Sequence, residues 1–163
     1  MLVEQYRVAH EIQSPALIVH AANNLLYFHN LAGELDKVLL LANATLTVIS
    51  ANRSKLGQVG LNAERAIRRH KAGALLQRGD VQGAADALLP AFAQPEQSDP
   101  RLLWLLYVRR AEINAFQSDF AGMEDCFQYG ALLRNTLENL FHNYKGVIDA
   151  LLEVQRTRIL LCW

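Results

Sequence analysis

The sequence predicts an all-α protein, and three observations carry that prediction. Nine glycines and four prolines in 163 residues leave long stretches without a helix breaker. Runs that alternate apolar and polar residues with period two, the mark of a strand with one buried face, are almost missing. Apolar residues instead recur at intervals of three and four. The clearest case is Leu137, Leu140, Phe141, Tyr144, Ile148, Leu151 and Leu152, which fall on one face of a helix.

Breakers then divide the chain into about eight helices. Ser14-Pro15 ends a first helix over 2–12 and opens a second over 15–31, because proline suits the first helical turn and the residue before it avoids the helical region. The Gly33 turn separates the second from a third over 34–51. The segment 54–60, with Gly57 and Gly60, reads as a loop before a fourth helix over 61–78. Gly79-Asp80 pairs a residue able to close a helix in the left-handed conformation with a good N-cap, and so starts a fifth helix over 81–93. The stretch from Pro95 to Pro100 precedes a sixth over 99–117, and Ser118-Asp119 a seventh over 120–134. The apolar stripe from Leu137 makes an eighth over 137–161.

Two of these turns have similar surroundings. Around the fourth and fifth helices stand Ala72, Gly79, Asp80, Val81, Ala84, Leu88 and Ala91, and around the sixth and seventh stand Tyr107, Ala111, Asp119, Phe120, Phe127 and Gly130, with Asp119 and Phe120 in the places of Asp80 and Val81. Asp80 and Asp119 stand 119 − 80 = 39 residues apart, and Gly33 precedes Gly79 by 79 − 33 = 46. Both intervals suit helix hairpins with variable linkers. With these residues the chain resembles the tetratricopeptide repeat family over roughly residues 16–135. It departs from the family pattern at Ser118, where the turn glycine belongs, and at Met123, where alanine is usual. The resemblance implies a single domain over 1–163: a right-handed superhelix of about three such hairpins, with an N-terminal helix before it and a long C-terminal helix after it.

Charge and chemistry narrow the function classes. Lys and Arg total 16, as do Asp and Glu. Locally, Arg53, Lys55, Arg65, Arg68, Arg69, Lys71 and Arg78 face a single acid, Glu64, within residues 53–78. With no aromatic residue between 29 and 91 to stack on bases, that strip reads as a solvated or acid-pairing face, and nucleic acid is not an expected partner. The longest unbroken apolar run, Leu102 to Val108, is far short of a membrane span, and the first residues lack a secretory signal, so a cytoplasmic location with no membrane partner is expected. His10, His20, His29, His70 and His142 form no metal-ligand spacing, and no phosphate loop or nucleophile elbow is present. The sequence therefore points to no enzyme, no metal and no cofactor. Cys126 reads as a packed thiol, and the adjacent Asp125 should raise its pKa.

What remains is binding. In tetratricopeptide domains the first helix of each hairpin lines a concave groove that receives a peptide. The resemblance places His20, Asn23, Tyr27 and Asn30 of the first hairpin there, with Arg69 and Gln77 of the second and Glu112 and Phe116 of the third. Asn23, Tyr27 and Asn30, four and three apart, share one helical face, and Arg69 is suited to an acidic group. The implied function is an adaptor or chaperone-like module that binds a peptide segment of a protein partner. Class II chaperones of bacterial type III secretion are similar in length and repeat number. The alternative is a helical ligand-sensing domain of a larger signalling protein or transcription regulator. The apolar stripe of the last helix continues to Ile159, Leu160, Leu161 and Trp163, from which a homodimer through that helix is expected.

Overall fold

The computed structural model describes the backbone of residues 1–140 and the side chains of residues 1–133. All regular structure among them is helical. The α-helices are α1 (Leu2–Glu11), α2 (Pro15–Leu31), α3 (Leu35–Ala51), α4 (Arg53–Gln77), α5 (Val81–Leu88), α6 (Pro100–Phe116) and α7 (Phe120–Leu140), with short 3-10 turns at Leu89–Phe92 and Pro95–Gln97. The C-terminal helix expected over 137–161, and the dimer contact expected on it, lie outside the described residues beyond Leu140.

Three expected boundaries differ from the structure, each for a local reason. The loop expected over 54–60 is a kink inside α4, where Gly57 alone leaves the helical region with φ 50° and ψ −133°. α5 stops at Leu88 rather than running to 93, because Pro90 has no N–H to continue the helical ladder, and the chain tightens into a 3-10 turn. α7 passes through 134–137 without a break, since Arg134-Asn135-Thr136 contains no glycine or proline.

The helix ends share one closure. Gly79 N–H reaches Leu76 O at 3.0 Å and Asp80 N–H reaches Leu75 O at 3.0 Å, with Gly79 at φ 81°. This paired pattern satisfies two carbonyls that the end of a helix would otherwise leave open. It recurs at Gly33, at Ser118 and at Gln13, with φ of 71°, 59° and 51°. After the turn, Asp80 Oδ1 accepts from Gly83 N–H at 2.8 Å, capping α5 as expected, and Asp119 Oδ1 accepts from Gly122 N–H at 2.9 Å at the start of α7. Both acceptors of the cap occupy the space a side chain would need. A Cβ on Gly83 would lie 2.2 Å from Asp80 Oδ2, and one on Gly122 would lie 2.1 Å from Asp119 Oδ2.

The chain forms two compact units, which meet at Ala93 and Gln94 in the sequence. In the first unit α1 packs on α2, α2 on α3 and α4, α3 on α4, and α4 on α5 and the 3-10 turn that follows. Val19, Leu26, Val38, Ala42, Ile49, Leu56, Ile67 and Ala74 make a core there, in which Leu26, Val38, Ala42, Ile67 and Ala74 are wholly buried. Small alanines on α3 and α4 allow the helices to approach closely, and burial of the aliphatic stripes drives their packing. In the second unit α6 packs on α7. Ala111, Ala115, Met123 and Cys126 are buried there, with Tyr107 and Phe127 against them, and the Tyr107 ring stacks on Tyr129 with centroids 5.3 Å apart.

Cys126 is a packed thiol, as the sequence indicates. Burial pushes its pKa up to about 11, Asp125 and Asp119 add to that, and Arg110 opposes it. From the thiolate fraction alone, alkylation of Cys126 at pH 8 is expected to be about a hundredfold slower in the folded chain than in denaturant. Mass spectrometry of the peptide carrying Cys126 checks this, and equal rates in the two states would contradict it.

Candidate functional site

The expected site residues divide between the two units, with His20, Asn23, Tyr27, Asn30, Arg69 and Gln77 in the first and Glu112 and Phe116 in the second. α2 and α4 lie against each other, and their facing edges bring three polar side chains together. Asn30 donates one amide hydrogen to Leu26 O at 3.0 Å, one turn back, and its Nδ2 lies 3.0 Å from His70 Nδ1 on α4. Arg69 Nη2 lies 3.2 Å from the other ring nitrogen, Nε2. His70 is buried, whereas Asn30 and Arg69 are half-buried at the margin.

Asn23 sits two turns before Asn30 on the same face of α2. Its Oδ1 is buried and accepts no hydrogen bond among the described residues. A buried acceptor in that state costs about 1–3 kcal/mol until something donates to it. Tyr27, between the two asparagines, is 52% exposed, with the Phe28 ring edge-on at a centroid distance of 5.7 Å. Gln77 is exposed at the last turn of α4. His20, seven residues before Tyr27 on α2, lines an open cleft of about 460 Å³ between α1 and α2. Leu76, next to Gln77, is buried. In the second unit Glu112 is ion-paired with Arg109 one turn before it, and Phe116 is half-exposed at the end of α6.

The basic strip of α4 resolves into two different uses. Glu64 takes Arg53 at 3.1 Å and Arg68 at 2.9 Å, the acid pairing expected of that strip. Arg65 is not on a solvated face at all. It is 1% exposed, and its Nε donates to Ala91 O at 3.1 Å while its Nη2 donates to Ala93 O at 2.6 Å. The side chain therefore closes the carbonyl end of the 3-10 turn that ends the first unit.

Sequence reasoning gave His70 no place in the site and put Arg65 on the solvated strip, where the structure buries it. For His70 a signal existed, since it interrupts the spacing of Ile67, His70 and Ala74 on the inward face of α4. For Arg65 none existed, because its acceptors are 26 and 28 residues away.

Among the described residues no group of three or more His, Cys, Asp or Glu side chains converges as a metal site, and no helix is long and apolar enough to cross a membrane. The comparisons with known proteins leave the site to be read from its own geometry: no family model, no curated protein and no solved structure matches the chain.

Proposed function

We propose that the chain is a protein-interaction module, an adaptor or chaperone-like protein that holds an extended peptide of its partner along the α2–α4 face. The observation that carries this reading is the buried Oδ1 of Asn23, an acceptor kept without a donor beside the exposed ring of Tyr27. Turning outward, the half-buried Asn23 side chain would offer that acceptor to a peptide N–H, Tyr27 would cover the neighbouring side chain, and Arg69 would receive an acidic group. Successive hairpins α2–α3 and α4–α5, with their first helices against each other and turns closed alike at Gly33 and Gly79, support a tetratricopeptide-like arrangement. Its right-handed superhelix belongs to the same proposal.

Selection of a random peptide library on the full-length chain tests the reading. Selected peptides are expected to bind Tyr27→Ala and Asn23→Leu at least about tenfold more weakly than the unaltered chain. Asn23→Leu should meanwhile melt no lower than the unaltered chain, because it removes an unsatisfied buried acceptor and adds apolar surface. A library that yields no binder, or binders that both variants hold at full affinity, would overturn the proposal.

A further inference from the structure

We propose that α1 is an exchangeable arm, which leaves its own α2 and packs on the α2 of a second copy of the chain, so that two copies trade first helices. The trade needs no new interface. In each copy α1 already lies on α2, with Val8, Ala9 and Ile12 of α1 lining one cleft with Leu17, His20 and Ala21 of α2. An α1 from a second copy meets those same residues, so every contact and every charge of the seated arm carries over unchanged.

The arm is held lightly. Ala9 is the buried residue of α1, whereas α2 buries six residues and is tied to α3 and α4 as well. Packing between the two helices is open: the cleft of about 460 Å³ leaves Val8 40%, Leu17 49% and Ile12 57% exposed. An element with so little buried surface opens well before the unit that carries it.

The hinge favours release. Gln13, at φ 51°, is a non-glycine residue in the left-handed conformation. Two backbone bonds close it there, from Gln13 N–H to His10 O at 3.1 Å and from Ser14 N–H to Ala9 O at 3.2 Å. Ser118 has the same conformation, but the helix before it, α6, buries six residues, where α1 buries one alanine. Ser14 is already extended, at φ −92° and ψ 106°, as suits the residue before Pro15. Rotation of Gln13 into the extended region therefore relieves the backbone and swings α1 off α2 in one step. A short strained hinge of this kind invites exchange between copies. Ile12, Gln13, Ser14, Pro15 and Ala16 carry no charge, so two such hinges passing each other bring no like charges together. The exchange does not use the Asn23–Asn30 face and does not rest on the peptide-binding reading.

Each dimer contains two hinges, so a change at position 13 enters its dissociation constant twice. Gln13→Gly suits the left-handed closure and is expected to weaken dimerisation about a hundredfold, roughly tenfold per hinge. Gln13→Val resists a positive φ and should strengthen it by a similar factor. Sedimentation equilibrium of the full-length chain reads both, and Gln13 is exposed, so neither variant disturbs the core. Photo-crosslinking then identifies the arm. An unlabelled chain carrying Val8→benzoylphenylalanine is mixed with an isotope-labelled unaltered chain and irradiated, and mass spectrometry should find position 8 joined to the labelled copy's α2. Ala9→Glu removes the seat of the arm in either arrangement and should leave the chain monomeric, with circular dichroism confirming that it stays helical. Crosslinks confined to the unlabelled chain, a dissociation constant that ignores both changes at Gln13, or a dimer that survives Ala9→Glu would each overturn the proposal. So would a Gln13→Val chain that is still monomeric at about 1 mM, the order of effective concentration that a short linker gives the arm on its own α2.

Discussion

Replacing Arg65 with alanine is expected to destabilise the end of the first unit by about 4 kcal/mol, the largest effect of any single polar substitution described here. Two charged hydrogen bonds disappear together, to Ala91 O and to Ala93 O. Both acceptors belong to the carbonyl end of a 3-10 turn, where no further helical N–H is available. Truncation also opens a void beneath a side chain that is 1% exposed. Arg65→Lys keeps the charge, but one ammonium cannot reproduce the fork that spans two carbonyls, so roughly half the loss is expected. Hydrogen exchange resolves the effect locally, amide by amide. Amides of residues 81–93 should lose close to a thousandfold in protection in Arg65→Ala, since each tenfold corresponds to about 1.4 kcal/mol. Unchanged protection there would mean that the packing of α5 on α4 holds the segment without the arginine.

Arg65 also marks where the sequence stops being informative. Arg68, Arg69 and Lys71 follow it in the chain, and a local charge count puts it on the same strip as Arg68, whose partner Glu64 is four residues away and readable on one helix face. Its own partners are on a segment that only tertiary packing brings near. The same distinction runs through the fold. Gly79-Asp80 states its turn in residue types, since glycine takes φ 81° without strain and Asp80 caps α5. Ser118 and Gln13 adopt the same left-handed closure without being glycine, so residue types mark the turns at Ser14-Pro15 and Ser118-Asp119 but not the conformation that closes them. In α4 two glycines suggest a loop, yet only Gly57 leaves the helix, because buried Leu56 before it and buried Gly60 after it tie both sides to the core. At the candidate site, spacing alone shows that Asn23, Tyr27 and Asn30 share a face. It does not show that Asn30 faces a histidine 40 residues on.

That contact gives the second large effect. Asn30→Ala and His70→Ala are each expected to cost about 2 kcal/mol, and together they should cost clearly less than the sum. With one N–H committed to Leu26 O, the Asn30 carboxamide turns its remaining hydrogen-bonding capacity to His70 Nδ1 at 3.0 Å. Removing Asn30 takes the carboxamide away from a buried ring nitrogen. Removing His70 leaves the amide hydrogen pointing into a cavity between α2 and α4. Either loss exposes the surviving partner to the full desolvation penalty, whereas the double variant has no orphan, and the coupling should be about 1 kcal/mol. The two sites lie within the packed first unit, so the cycle reads from the exchange of amides in α2 and α4. Strict additivity would mean that the two side chains hydrogen-bond elsewhere in solution. Coupling at the expected size makes Asn30 the post that holds α2 against α4, and assigns the contact with a peptide to its neighbours Asn23 and Tyr27.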